Sequence, residues 1–195
     1  MYPFLMLSRA IKCRSDLFIG AVLLLAQPVF LSATDRGALI SLYNSTDGDN
    51  WSIKTDWKEE ETEYGGDGFN SDPCDPLWFG VTCQGGRVIQ VNLSENELKG
   101  WIPAQLGNLS ELQHLYLQNN QLTGPIPAQL GNLNKLKALD LRSNQLTGSL
   151  PWELGKLSNL RTLLLKGNEL TGSIPKELGN LSNLIRLWLD NNQLT

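Results

Sequence analysis

At 195 residues, with 41% hydrophobic and 18% charged side chains and a formal net charge of −4, the chain has room for one soluble domain and not for two unrelated ones. The charge is uneven: residues 34–86 carry 11 acidic against 3 basic side chains, and residues 87–195 carry 8 against 10. Neither part holds a basic stripe dense enough to follow a phosphate backbone, which argues against nucleic acid as a partner.

The first segment reads as a targeting sequence. Arg9, Lys12 and Arg14 precede an unbroken apolar run over residues 17–26, and Leu31-Ser32-Ala33 brings small residues ahead of Thr34. Residues 1–33 are therefore expected to be a secretory signal peptide cut near Ala33. A membrane span needs about 20 apolar residues, and Gln27-Pro28 interrupts this run earlier. Left uncleaved, it would serve as a signal anchor.

Residues 34–86 are expected to form a cap. A helix is predicted over residues 35–44, with Thr34 as N-cap and Ala38, Leu39, Leu42 and Tyr43 on one face. Asp47-Gly48-Asp49-Asn50 then makes a turn. It is a poor calcium loop: an EF-hand wants a ligand where Trp51 stands, Gly where Ser52 stands and Glu where Lys58 stands. Trp51, Trp57, Trp78 and Phe79 supply bulky apolar surface, while Glu59, Glu60, Glu61 and Glu63 read as a solvated loop. Loss of the leader removes Cys13 and leaves Cys74 and Cys83 as an even pair, which an oxidising compartment joins as a disulfide. Zinc is the rival, but two thiols and the single histidine cannot complete a tetrahedral site. No metal and no cofactor are expected.

Five sequons fit passage through a glycosylating compartment: Asn44, Asn50, Asn92, Asn108 and Asn180 each begin an N-x-S/T triplet. Asn108 and Asn180 are the weaker witnesses, because N-L-S also arises from the loop pattern described next.

From Arg87 onward the sequence repeats. Asn96, Asn120, Asn144, Asn168 and Asn192 recur every 24 residues inside the frame L-x-x-L-x-L-x-x-N-x-L. Leu112/Leu115/Leu117, Leu136/Leu139/Leu141, Leu160/Leu163/Leu165 and Leu184/Leu187/Leu189 keep step, with Val88/Val91/Leu93 ahead of them. This is the leucine-rich repeat, predicted as five copies over residues 87–195, the last incomplete. Leucines at the first, fourth and sixth positions alternate inward from a short strand, and only stacking of coils encloses them. An inward Asn amide donates and accepts, so a column of them can bridge successive turns. In Gly124-Pro125-Ile126-Pro127 and its counterparts, Gly allows a tight backbone, Ile126 packs inward and Pro127 starts a short helical turn. Repeat five stops at Leu194-Thr195 with its leucines uncovered. That predicts a longer solenoid, or end-to-end self-association of the isolated chain.

The cap and repeats together carry a resemblance. A helix, Asp47-Gly48-Asp49-Asn50-Trp51, Trp57, then Pro73-Cys74 and Trp78-Phe79-Gly80-Val81-Thr82-Cys83 leading into 24-residue repeats resembles the plant-type extracellular leucine-rich repeat family. That group includes ectodomains of receptor-like kinases and receptor-like proteins, and polygalacturonase-inhibiting proteins; similar caps occur in algal and bacterial repeat proteins. The resemblance implies an α/β solenoid: a right-handed superhelix with a parallel concave β-sheet and an N-terminal helical, disulfide-stapled cap. It also implies ligand binding on the concave face, and secretion or display on the outer face of the plasma membrane.

Strand positions three, five, seven and eight are expected to point onto the concave face, in columns that the repeat leaves free in residue type. They read Gln90/His114/Ala138/Thr162/Arg186, Asn92/Tyr116/Asp140/Leu164/Trp188, Ser94/Gln118/Arg142/Lys166/Asp190 and Glu95/Asn119/Ser143/Gly167/Asn191. The candidate ligand-binding residues are His114, Tyr116, Gln118, Asp140, Arg142, Leu164, Lys166, Arg186, Trp188 and Asp190. Aromatics and arginines anchor protein or peptide partners, and planar rings also suit sugar faces. Trp101 and Trp152, near Pro103 and Pro151, read instead as loop-packing or convex-surface residues.

A triad can be drawn from Ser94, His114 and Asp140, but an open sheet offers neither a dry pocket nor oxyanion donors. No phosphate-binding loop and no kinase motif set is present. The expected function is therefore non-catalytic recognition of a protein or peptide. The alternatives are inhibition of an extracellular hydrolase, and an ice-binding or structural solenoid, which would favour flat, uniform columns.

Overall fold

The structure is a computed structural model that describes residues 33–58, 72–74 and 77–195. Residues 1–32 of the expected 1–33 leader, the acidic run from Glu59, Asp75-Pro76 and the side chains of Ala33 and Thr34 lie outside the described residues.

One α-helix, α1 (Ala33–Ser45), opens the fold. It buries the predicted face, since Ala38, Leu39, Leu42 and Tyr43 are all in the core. The turn after it is a short 3-10 helix over Gly48–Asn50. Gly48 fits there because the Tyr43 ring lies where a Cβ would stand. Trp51, Trp57 and Trp78 join Tyr43 in one aromatic cluster, with ring centroids 4.8–5.8 Å apart in tilted, stacked and edge-on pairs. The Cys74–Cys83 disulfide is formed, with the Cα atoms 5.8 Å apart. It fastens a segment with little regular structure of its own.

The strands follow in chain order: β1 (Val81–Gln84), β2 (Arg87–Asn92), β3 (Lys99–Trp101), β4 (His114–Tyr116), β5 (Gln121–Pro125), β6 (Ala138–Asp140), β7 (Gln145–Ser149), β8 (Thr162–Leu164), β9 (Glu169–Gly172), β10 (Arg186–Trp188) and β11 (Gln193–Leu194). They form two sheets. The concave sheet has the order β1-β2-β4-β6-β8-β10, parallel except for the antiparallel β1–β2 pair that ties it to the cap. The second sheet, β3-β5-β7-β9-β11, is parallel and lies downstream of the asparagines in each coil. The leucine frame does not announce this second sheet, because only one inward residue per strand carries the pattern.

Between the sheets run the repeat leucines, most of them wholly buried from Leu93 to Leu170. Full burial of each such side chain is worth about 1.5–3 kcal/mol. Each coil closes with a 3-10 helix directly after a proline: Ala104–Asn108, Ala128–Asn132, Trp152–Lys156 and Lys176–Asn180 follow Pro103, Pro127, Pro151 and Pro175. The glycines in these helices set the stacking distance. A Cβ on Gly107, Gly131 or Gly155 would run into the backbone carbonyl of Gln129, Glu153 or Glu177 in the next coil.

The asparagine ladder answers the backbone groups that the turns leave inside. Asn144 Nδ2 donates to the Leu117 and Leu141 carbonyls at 2.9 and 3.1 Å, while its Oδ1 accepts from the Leu122 N–H at 3.0 Å. Asn168 repeats the pattern with Leu141, Leu165 and Leu146. The first rung reaches into the cap, where Asn96 exchanges hydrogen bonds with the N–H and C=O of Ile53.

Candidate functional site

The parallel register builds the expected columns. Asn92, Tyr116, Asp140, Leu164 and Trp188 stand side by side across the concave sheet, flanked by Gln90, His114, Ala138, Thr162 and Arg186. Not all of these positions are free in type. Glu95, Asn119, Ser143, Gly167 and Asn191 all have φ between 53 and 69°. That eighth column is the left-handed corner of the coil, where Asn and Gly are favoured for backbone reasons. Fifth-position side chains share in the turn as well: Asp140 Oδ1 accepts the Arg142 N–H, and Asn92 Oδ1 accepts the N–H and hydroxyl of Ser94.

The centre of the face is an aromatic and ionic tract. Arg142 Nε and Nη2 donate to the Asp140 carboxylate at 2.9 and 2.7 Å, in a bidentate pair. The same guanidinium lies over the Trp188 ring, 5.2 Å from its centroid. Leu164 stands between Asp140 and Trp188 in register and is only 8% exposed, so the Arg142–Trp188 contact passes over it. Trp188 itself is 44% exposed. Beside the tract, His114 and Tyr116 stack at 5.9 Å with an interplanar angle of 17°. Gln118 is partly buried, and its Oε1 has no hydrogen-bond partner among the described residues.

Electrostatics reshape the cationic candidates. Hydrogen bonding to the Asp140 carboxylate raises the Arg142 guanidinium above its ordinary value. Lys166 pairs with Asp190 at 2.7 Å, both exposed. Of the three cations expected on this face, Arg186 alone has no ionic partner among the described residues. Burial, and then Asp140, raises Tyr116; burial, and then Lys137, lowers His114. The tract is thus a largely neutralised aromatic surface rather than an anion trap.

The drawn triad does not assemble. Asp140 is committed to Arg142, the Ser94 hydroxyl donates to Asn92, and His114 is stacked on Tyr116. Among the described residues no helix is long and apolar enough to cross a membrane.

Two exposed indoles lie elsewhere. Trp101 belongs to β3 on the second sheet and is 60% exposed, so it is not packed under a loop. Trp152 opens a 3-10 helix at 51% exposure, with Lys156 Nζ over its ring at 4.5 Å. The second sheet carries a regular outer pattern as well. Thr123 faces Gln145, Thr147 faces Glu169 and Thr171 faces Gln193.

Residues 81–194 match a family model described as a leucine-rich repeat region. Receptor-like protein kinases of Arabidopsis thaliana and rice align with the chain, the first at 38% identity over 80 residues, 40% of this chain; the chain spans no more than 8% of the length of these relatives. Among solved structures, the BIR2 ectodomain from Arabidopsis thaliana is 34% identical, with a TM-score of 0.70 over 83% of this chain and 81% of that one. A plant ice-binding protein is 32% identical, with a TM-score of 0.67 over 83% of this chain and 49% of that one. The plant peptide hormone receptor RGFR1, in complex with RGF2, is 42% identical, with a TM-score of 0.53 over 53% of this chain and 17% of that one.

Proposed function

The chain belongs to the plant-type extracellular leucine-rich repeat family, and on that premise we propose that it is a non-catalytic recognition module that takes a protein or peptide on its concave sheet. The observation that carries this reading is the Arg142–Trp188 contact over Leu164, which presents a fixed aromatic platform beside the stacked His114 and Tyr116. Rigid aromatics lose little rotamer freedom on binding and rank among the strongest interface anchors. Arg142 and Lys166 already have carboxylate partners, so the ligand is held by rings and hydrogen bonds more than by net charge, with Arg186 free to meet one carboxylate. The ectodomain-like fold and the peptide-hormone receptor among its structural neighbours support this reading.

Selection of peptides from a displayed random library on the oxidised protein tests it. Tyr116→Ala with Trp188→Ala is expected to weaken the selected peptides about 30-fold, the equivalent of about 2 kcal/mol, with an unchanged circular-dichroism spectrum. Equal affinities for both proteins would sink the concave reading. An assay of polygalacturonase in the presence of the protein separates the inhibitor form of the same reading.

One observation favours a second function. The outer positions of the second sheet repeat Gln121, Gln145 and Gln193 beside Thr123, Thr147 and Thr171, interrupted by Lys99, Trp101 and Glu169, and a plant ice-binding protein shares the fold. Ice-recrystallisation assays of the protein beside Thr147→Lys decide it, since a charged side chain amid a flat array should abolish inhibition.

Ile174 of the fourth repeat and Ile185 and Leu187 of the fifth are exposed, which favours pairing with a second copy through that face. Sedimentation across a wide concentration range would reveal it; a clean monomer would rule it out.

A further inference from the structure

One groove lies away from the concave face, where the end of α1 meets the first repeat. It encloses about 300 Å³ and is lined by Ser41, Asn44 and Ser45 of α1 with Trp101, Pro103 and Gln105. Its floor is fixed. The Lys99 N–H donates to the Thr46 carbonyl at 3.0 Å. Gly100 sits so close to the Ser45 carbonyl that no side chain fits there. β3 therefore presses against the end of the helix and holds Trp101 beside Asn44. The indole is 60% exposed, so its flat apolar face is open along the groove wall.

Asn44 is also the first residue of Asn44-Ser45-Thr46, an N-glycosylation acceptor. It is exposed, and among the described residues its amide makes no hydrogen bond. Asn50 differs: its Nδ2 donates to Asp47 at 2.9 Å. The atom that would carry a glycan is thus free at the rim of a groove whose wall is an unpaired aromatic ring.

We propose that an N-linked glycan on Asn44 folds back into this groove, with the apolar face of its first sugar on the Trp101 indole and its hydroxyl and amide groups meeting Ser41, Ser45 and Gln105. Modification joins Asn44 Nδ2 to the anomeric carbon of an N-acetylglucosamine delivered from a lipid-pyrophosphate donor, which leaves as the lipid pyrophosphate while the amide nitrogen gives up one proton. Thr46 Oγ1, which the glycosylating enzyme must reach, is buried and donates to the Leu42 carbonyl at 2.6 Å. Transfer therefore precedes folding of the helix end. The docked sugar then shields Trp101, Pro103 and the end of α1, the seam between cap and first repeat.

The inference rests on the extracellular reading, because only a secreted chain meets the donor. The test is made on the full chain exported from a eukaryotic cell. Peptide mass spectrometry reads occupancy at each sequon, and hydroxyl-radical footprinting then compares the glycoprotein with Asn44→Gln. Oxidation of Trp101 is expected to rise severalfold when the glycan is lost, while Trp152, similarly exposed, stays constant. Trp101→Ala should make native release of the Asn44 glycan by an amidase severalfold faster. An unmodified Asn44 overturns the proposal; if Asn108 or Asn180 carries sugar in the same sample, the extracellular reading stands without it. Equal labelling of Trp101 with and without the glycan overturns the docking.

Discussion

Arg87 closes on Asp35 across the seam between cap and solenoid. Nε and Nη2 donate to the carboxylate at 2.9 and 3.1 Å, Nη2 also reaches the Ser110 hydroxyl, and the Val88 N–H donates to the same carboxylate. The Asp35 side chain is 1% exposed and that of Arg87 is 29% exposed. A residue of the first helical turn thus anchors the first strand of the repeat array, and the carboxylate holds Arg87 above its ordinary value.

The asymmetric burial makes the two single substitutions unequal. Arg87→Met strands a buried carboxylate and is expected to cost about 3 kcal/mol. Asp35→Asn keeps an acceptor for Val88 and leaves a cation that water can reach, so it costs less. The double variant should recover most of the Arg87→Met loss, as read in urea unfolding midpoints. Additive losses would mean that the pair is not a unit.

The asparagine ladder predicts a gradient along the array. Asn144→Leu leaves the Leu122 N–H without a partner in the interior, at about 1–3 kcal/mol, and removes one of two amide donors from the Leu117 and Leu141 carbonyls, which keep Asn120 and Asn168. Asn192→Leu makes a similar deletion where the coil is more open to water. Its effect on the denaturation midpoint should be clearly smaller.

Equivalent glycines should give opposite outcomes. A Cβ on Gly155 meets the Glu177 carbonyl, and one on Gly179 meets nothing within 4 Å. Gly155→Ala is expected to cost about 1–3 kcal/mol through overpacking. Gly179→Ala should be neutral, or stabilising by about 0.4–1 kcal/mol, by narrowing the unfolded ensemble. Similar melting shifts for the two would refute the stacking role of this position.

His114 gives a pH signature that one proton resonance can follow, since it is the only histidine. Burial and nearby Lys137 depress it, so its folded midpoint should fall below about 6.5. Above that pH both folded and unfolded imidazoles are neutral, and the group adds no pH dependence. Below it the unfolded chain takes the proton first, so stability declines as pH falls. Lys137→Gln should move the midpoint part of the way back. An NMR titration with a midpoint at or above the ordinary value would contradict the half-buried stack.

Much of the architecture was legible because it repeats. The inward Leu and Asn positions recur every 24 residues, and the register of columns from Asn92 to Trp188 follows from that period alone. The helix was legible from the spacing of Ala38, Leu39, Leu42 and Tyr43, within a residue or two at each end. The second sheet was not, since Thr123, Gln145 and Thr171 vary little and point outward, giving no alternation to read. Nor did the columns disclose that Asn119, Ser143 and Asn191 hold a left-handed corner, which is a backbone property with only a weak residue preference.

By itself, then, the sequence determined the coil, its leucine core, its asparagine rungs and the chemical classes along the concave face, because each depends on a local period. Only the tertiary structure decided which of those side chains remain available. Arg142 is neutralised by Asp140 and lies over Trp188, Leu164 is covered, Asp35 is buried beneath Arg87, and Asn44 stands beside Trp101. Apart from the Asp140–Arg142 pair, which lies within one coil, these are arrangements between coils, or between cap and coil. They are set by the distance at which neighbouring turns stack, and no residue carries that distance in its own identity.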